Sequence, residues 1–467
     1  MADRISPGVP TQPGPRPRVD IPYPRLSPGL RSYFATEGGG ATLLLAASAV
    51  ALVWANVAGG SYHHLWEMPV NLTVGTWELH LTLHHWVNDF LMAIFFLVVG
   101  VEVNRELTVG ELRSFRAASV PLFGAIGGLA VPIGLYLLIN PTLPDAAGWG
   151  LPMSTDTAFV IGVLALVGPR CPDQLRIFLL TLAIFDDIGA IALLGIFYSD
   201  QLMVGALLLA AALVVVLFAM RWIGIWQITP YLLVGVVLWV VVLQSGLHPT
   251  LAGVAVGLAV PTARRGHDDE ARWYFGVYGR ALMEELDPAR SRLAVSAARS
   301  AVPASDRLLD ALHPMSSFVV VPVFGLANAG VELSGEAIGA AMSSPVTLGV
   351  LVGLVFGKAV GVFGGAMVAL VTGLGALPGR VRYGHLVGGA FLCGIGFTIA
   401  LFVTEIAFDD EALINEAKVG VLAGSLLAGV IGALVLRYFG ERLPLCSPNE
   451  AQGGPPPLPE GVWRAPA

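Results

Sequence analysis

The sequence predicts an all-α polytopic membrane protein of about twelve transmembrane helices. Three observations carry that prediction. The chain is 55% hydrophobic and only 13% charged, with a mean hydropathy of +0.74, whereas soluble domains carry about a quarter charged residues. The apolar excess is gathered into long blocks. Ile177 to Phe197 holds 21 residues with no charge except two adjacent aspartates, enough as a helix to cross a hydrocarbon core of roughly 30 Å. Finally, the basic residues fall on alternate loops between those blocks.

The blocks predict spans at 38–57, 85–106, 117–139, 150–168, 175–197, 202–219, 229–246, 248–261, 314–334, 345–371, 384–404 and 418–438. The seventh and eighth are short and nearly continuous. Arginines precede the first span and follow the second (Arg113, Arg116), fourth (Arg170), sixth (Arg221), tenth (Arg380, Arg382) and twelfth (Arg442). Eight more lie in the 262–313 loop, and the other loops have no basic residue. This alternation is the positive-inside pattern, and it puts both termini in the cytoplasm. Residues 1–35, rich in Pro and Arg and lacking the apolar core of a signal peptide, read as a disordered cytoplasmic tail. Residues 36–440 form the membrane domain, and 441–467, with its Pro-rich end, reads as a second tail.

Composition also excludes. A net charge of −7 with no basic stripe gives nucleic acid no footprint. Cys171, Cys393 and Cys446 are odd in number and far apart, so they form no disulfide framework and no CxxC metal pattern. No cofactor is implied. His63, His64, His80, His84 and His85 share the outer side without the spacing of a definite metal site.

The outer loop "PVNLTVGTWELHLTL" alternates. Val70, Leu72 and Val74 precede Gly75-Thr76; Trp77, Leu79 and Leu81 follow. Gly-X between two alternating runs suggests a two-residue hairpin, whose open edge invites pairing. The plainer reading is an irregular loop.

Four stretches place polar groups where burial is expensive. Asp186 and Asp187 sit mid-span in "LLTLAIFDDIGAIALLGIF"; an aspartate at a helix centre costs about 2.5–3.5 kcal/mol on insertion scales. Adjacent residues point about 100° apart on a helix, so one can line a cavity while the other turns to a neighbouring helix. A hydrogen-bonded pair that only joins helices is the plainer alternative. In "GLPMSTDTAFVIGVLALVG", Ser154, Thr155, Asp156 and Thr157 suit an unwound stretch whose backbone needs partners; the same residues also suit a simple N-cap. In "GLVFGKAVGVFGG", Lys358 is one of only two lysines, and its mid-span place demands a carboxylate partner or a lowered pKa unless it snorkels to an interface. "FLCGIGFTIALFV" is weakened by Gly394 and Gly396. With the Asp156 stretch it makes a pair of interrupted spans, one in each half of the chain, which points to an inverted-repeat transporter with a midplane site. Close glycine packing is the alternative. Glu102, Arg105 and Glu106 share one helix face by their spacing at the cytoplasmic end of the second span, where most such clusters are simply solvated. His248, a lone histidine at a span end, is most simply structural.

Seven stretches in order, "FFLVVGVEVNREL", "TDTAFVIGVLALVG", "LAIFDDIGAIALL", "LQSGLHPTLAGVAVG", "VPVFGLANAG", "FGKAVG" and "CGIGFTIALF", resemble the NhaA family of bacterial sodium/proton antiporters over about residues 32–440. The resemblance implies twelve helices with an inverted repeat of spans three to five and ten to twelve, and two interrupted helices crossing near the midplane. It implies that Asp186 and Asp187 form the ion site, binding Na⁺, with Asp156 and Thr155 at the break and Lys358 nearby. It makes Glu102, Arg105 and Glu106 a cytoplasmic pH-sensing cluster, His248 a pH-response residue and Asp89 an outer-end aspartate. It also implies a homodimer formed through a hairpin like that of Val70, Leu72, Val74, Trp77, Leu79 and Leu81. The 262–313 loop looks longer than usual, and Pro249 stands where a small residue is often found.

Carboxylates take hard cations such as Na⁺ or Li⁺ and also protons. A buried pair that binds one or the other, in a site facing each side in turn, exchanges cytoplasmic Na⁺ or Li⁺ for external protons. Two carboxylates and the family suggest net charge movement and pH regulation. The expected setting is a bacterial plasma (inner) membrane, with lipid around the spans. An enzymatic alternative, an intramembrane aspartyl protease, needs two facing carboxylates and a GxGD stretch; adjacent aspartates do not supply the first and the second is missing. A sodium-coupled organic-anion cotransporter on a related fold would need additional polar groups that are not evident.

Overall fold

The computed structural model describes residues 37–442 except 75–76, 111–114, 168–172, 199–201, 263–272, 274–275, 282–286 and 378–380. The 1–35 tail and nearly all of 441–467 lie outside the described residues, as does the Gly75-Thr76 turn. Among the described residues, eight helices are long and apolar enough to cross a membrane, two further helix pairs qualify as bent spans, and two shorter apolar helices complete the series. The twelve blocks read from the sequence thus all fold as helices.

In chain order these are α1 (Glu37–Trp66), the strands β1 (Pro69–Val74) and β2 (Trp77–Thr82), α2 (Leu83–Thr108), α3 (Phe115–Ile139), a 3₁₀ helix at Asp145–Met153, α4 (Thr157–Val167), α5 (Asp173–Phe197), α6 (Val204–Ile223), α7 (Ile228–Leu243) and α8 (Thr250–Ala259). Then follow α9 (Pro288–Ala301), α10 (Ala304–Asn328), α11 (Gly335–Ser343), α12 (Pro345–Val371), α13 (Tyr383–Leu392), α14 (Phe397–Ala407) and α15 (Glu411–Arg442).

Local chemistry sets several ends. Asp287 caps α9 by accepting from the backbone N–H groups of Ala289 and Arg290, with Pro288 at the first helical position, where its missing N–H costs nothing. Ser344 caps α12 through Val346 and Thr347 in the same way. Gly224 ends α6 with φ +83°, a left-handed conformation that glycine adopts without strain.

The first helix breaks at Ala58, whose backbone is non-helical (φ −143°, ψ 51°), right where the predicted span ends, and a further helical stretch continues to Trp66. Two boundaries differ from those the sequence predicts. The ninth span runs 304–328 rather than 314–334, because an amphipathic start at Ala304–Met315 lengthens it at one end. The last helix begins at Glu411 and continues to Arg442, beyond the apolar block, through charged residues that favour helix.

Packing divides the helices into two groups that share α2. In the smaller, Leu97, Val101, Leu217, Tyr231, Leu238, Trp239, Val256 and Leu308 gather α2 with α6, α7, α8 and the start of α10. Gly100, Gly253 and Gly257 let the α2 and α8 backbones meet; a Cβ at any of them would strike the facing backbone. In the larger, α1, α3, α4, α5, α10 and α12–α15 bury Leu44, Tyr136, Phe178, Phe324, Leu354 and Phe402. There α3 lies on α12 through Gly127 and Gly361, another contact that admits no side chain.

The hairpin is present. β1 and β2 pair antiparallel with Val70 opposite Leu81, Leu72 opposite Leu79 and Val74 opposite Trp77. Leu79, Leu81 and Trp86 pack on the smaller group, and the Trp86 indole donates to Val70 O at 2.9 Å. Val70 and Leu72 remain exposed.

Candidate carboxylate site at the crossed helix breaks

The 3₁₀ segment and α4 meet at 47°, and α13 and α14 at 42°. Each break leaves backbone groups without helical partners, and the two breaks serve each other. The Asp156 N–H donates to Ile395 O at 2.6 Å, Thr155 Oγ1 donates to Cys393 O at 2.8 Å, and Ser154 Oγ donates to Gly396 O at 3.4 Å. In return, the Thr398 N–H and hydroxyl donate to Asp156 Oδ2 at 3.1 and 2.6 Å, and the Phe159 N–H reaches Oδ1 at 3.3 Å. Both readings of the Ser154–Thr157 stretch therefore hold: Asp156 caps α4 and also ties the break to its counterpart. Gly394 is required here, since a Cβ would strike Leu354 O.

Asp186 and Asp187 reach this crossing from the middle of α5. Asp186 is fully buried, and its Oδ2 accepts from Lys358 Nζ at 2.5 Å. Lys358, also fully buried, follows a π-helical turn at Gly353–Gly357 in α12. Such wide turns commonly mark functional positions in helices. Gly128 on α3 lies against Lys358, leaving room for its ammonium. Asp187 turns elsewhere, as the 100° step requires, and its charge couples to those of Asp186, Glu102, Asp156 and Lys358. Thr155 lies against Asp186. Asp186 Oδ1 and Asp187 Oδ1 are buried without a hydrogen bond among the described residues. Buried polar atoms are nearly always satisfied, and these two carboxylates lie at one crossing.

Phe402 lies one turn from Thr398 on α14 and is buried. It packs against Phe96 and Phe324 at centroid distances of 5.6 and 6.4 Å. His248, just before α8, stands edge-on to Phe402 at 4.8 Å, with Nδ1 2.9 Å from Thr250 Oγ1 and Nε2 3.8 Å from Asp89 Oδ1. Glu102 and Glu106 are half-buried further along α2, and exposed Arg105 pairs with Asp306 of α10 at 3.2 Å. The structure thus sets His248 beside Asp89, about half the length of α2 from Glu102. Glu102 lies within electrostatic reach of Asp187. Thr398, which donates twice to Asp156, is a site residue that the sequence reading quoted but did not assign. A polar residue two positions after Gly396 is the signal that pointed to it.

Fold and site together define a polytopic membrane protein of the transporter type, with two interrupted helices crossing beside buried, incompletely bonded carboxylates. A family model described as Na⁺/H⁺ antiporter 1 matches residues 31–436. The chain is 55% identical over 459 residues to the Na(+)/H(+) antiporter NhaA 3 of Frankia alni, covering 98% of both chains. It is 40% identical over 443 residues to the Na(+)/H(+) antiporter NhaA of Oleidesulfovibrio alaskensis, covering 91% of this chain and 97% of the relative. It is also 41% identical over 414 residues to the Na(+)/H(+) antiporter NhaA 1 of Mycolicibacterium vanbaalenii, covering 88% and 67%. The chain belongs to the Na⁺/H⁺ antiporter 1 family.

Proposed function

We propose that this chain exchanges cytoplasmic Na⁺ or Li⁺ for external protons, with Asp186 and Asp187 as the groups for which cation and protons compete. The observation that carries the reading is the pair of buried, unbonded carboxylate oxygens at the crossing of the two breaks. A bare carboxylate oxygen accepts a hard cation or a proton, and it cannot hold both at once. Family membership and the names of the relatives support the same reading.

Asp187 is the principal cation ligand, since Asp186 already holds Lys358. Asp156 and Thr155 fix the crossing geometry beside them. Lys358 acts either as a second proton carrier or as a structural counter-charge. Two protons per cation would make the exchange electrogenic. Glu102, Arg105, Glu106 and His248 tune its pH dependence. The protein sits in the bacterial inner membrane with both termini cytoplasmic, a reading supported by the arginine alternation, and it dimerises through the exposed hairpin. The direct test is sodium-dependent proton movement in proteoliposomes. No sodium-dependent movement across the pH range would overturn the exchange reading.

A further inference from the structure

Outside the carboxylate site, three ionisable groups converge at the outer ends of three helices. Glu405, near the end of α14, places Oε1 2.6 Å from Lys418 Nζ on α15. Its Oε2 lies 4.0 Å from Nε2 of His84, at the start of α2. The same Nε2 is 3.1 Å from Oδ1 of Asn328, the last residue of α10, and 3.4 Å from Asn88 Nδ2. Asn88 and Asn328 are themselves joined by bonds of 2.8 and 3.3 Å. The side chains are 25% (His84), 18% (Glu405) and 10% (Lys418) exposed, so the cluster is mostly buried yet open to solvent at His84.

Its position on α14 links it to the carboxylate site. Thr398, Phe402 and Glu405 stand at i, i+4 and i+7, one stripe of the helix. Thr398 holds Asp156, Phe402 packs on Phe96 and Phe324, and Glu405 ends the stripe roughly 10 Å outward at 1.5 Å per residue. Whatever pulls on Glu405 therefore pulls on the outer half of the interrupted helix.

We propose that His84, Glu405 and Lys418 form a second proton-binding site, on the outer side, through which external protons lock the outer half of α14 against α2 and α15. With His84 neutral, Glu405 is paired with Lys418. A proton on His84 puts a full positive charge on the ring whose Nε2 lies 4.0 Å from Glu405 and gives the carboxylate a second cationic partner on another helix. Charge-assisted bonds are roughly twice as strong as neutral ones, and histidine is the side chain that ordinarily changes charge between about pH 5 and 8. The groups facing His84 are Glu405 from α14, Lys418 from α15 and its neighbour His85 on α2. Tyr62 of α1 is also within electrostatic reach of Glu405, its hydroxyl donating to Leu326 O and Ala327 O.

The transport test rests on the antiport reading; a second test does not. With internal pH fixed, sodium-coupled exchange is measured in proteoliposomes as external pH is lowered from about 8 to 5. His84→Gln keeps hydrogen bonding to the asparagines and removes the titration. It is expected to relieve acid slowing by about twofold to fivefold, the shift an ion pair of this exposure supplies. The double variant Glu405→Gln/Lys418→Met, which removes the pair together, is expected to flatten the profile equally. Profiles parallel to the unaltered protein in both would overturn the proposal. Independently, hydrogen exchange on the unaltered protein in detergent, corrected for intrinsic rate, is expected to show rising protection at 404–407 as pH falls. Protection that does not change with pH would overturn it even if the chain transports nothing, and failure of transport alone would count only against the antiport reading.

Discussion

Lys358 and Asp186 form an ion pair at 2.5 Å with both side chains fully buried. The two residues come from opposite halves of the chain, α12 and α5, so the pair fastens the helix before one break to the helix after the other. Breaking a buried pair by removing one partner costs about 3–5 kcal/mol, because the other charge is left uncompensated. Lys358→Gln and Asp186→Asn are each expected to lower the unfolding temperature in detergent. The double variant is expected to recover part of the loss. Additive losses in a thermal-shift cycle would show that the two charges do not depend on each other.

On the proposed reading Asp187 carries the exchange more directly, because Lys358 pairs with Asp186 instead. Asp187→Asn keeps the shape and removes the charge. It is expected to abolish sodium-dependent proton movement while leaving the protein folded and its unfolding temperature close to unaltered. Near-normal exchange by this variant in everted vesicles would remove the carboxylate from the mechanism.

Thr398 holds Asp156 by two bonds, one from its backbone and one from its hydroxyl. Thr398→Val preserves volume and the backbone bond but deletes the hydroxyl. Hydrogen bonds to charged groups are worth about 1.5–3 kcal/mol. The variant is expected to lose stability on that scale and to transport poorly, whereas Thr398→Ser should retain most of both. Equal behaviour of the valine and serine variants would show that the hydroxyl is dispensable.

How legible these features were in the sequence depended on what kind of order each required. The spans were legible because lipid forces every backbone group to be satisfied within a helix, which leaves long apolar blocks with arginines on one side only. The carboxylates were legible because charge is so expensive there: Asp186, Asp187, Asp156 and Lys358 all interrupt apolar runs. The partners were harder. That Lys358 needs a carboxylate follows from its position, but which carboxylate depends on how α12 lies against α5. Thr398 looks like one more small polar residue until the two breaks are crossed. The Glu405–Lys418 pair escaped for a related reason: both sit near span ends, where charges are usually solvated. Lys418 being the chain's only other lysine was the available signal.

The hairpin yields the last prediction. Its register places Val70, Leu72, Leu79 and Leu81 on one face. Leu79 and Leu81 spend their part of that face on the smaller helix group, while Val70 and Leu72 stay 38% and 45% exposed. A two-stranded sheet is marginal alone, and its outer edges carry unpaired backbone groups that favour another strand. A second copy of the hairpin supplies both a strand and an apolar surface. Deleting Val70 to Leu81 is expected to convert dimer to monomer in detergent, measured by light scattering, with exchange largely retained. The deletion also removes the anchor that Trp86 and Leu79 provide, so a gentler variant is needed beside it. Val70→Asp with Leu72→Asp leaves the anchor and register alone and places two like charges where the copies would meet. It is expected to yield the same monomer. A dimer fraction unchanged in both would place the interface elsewhere on the molecule.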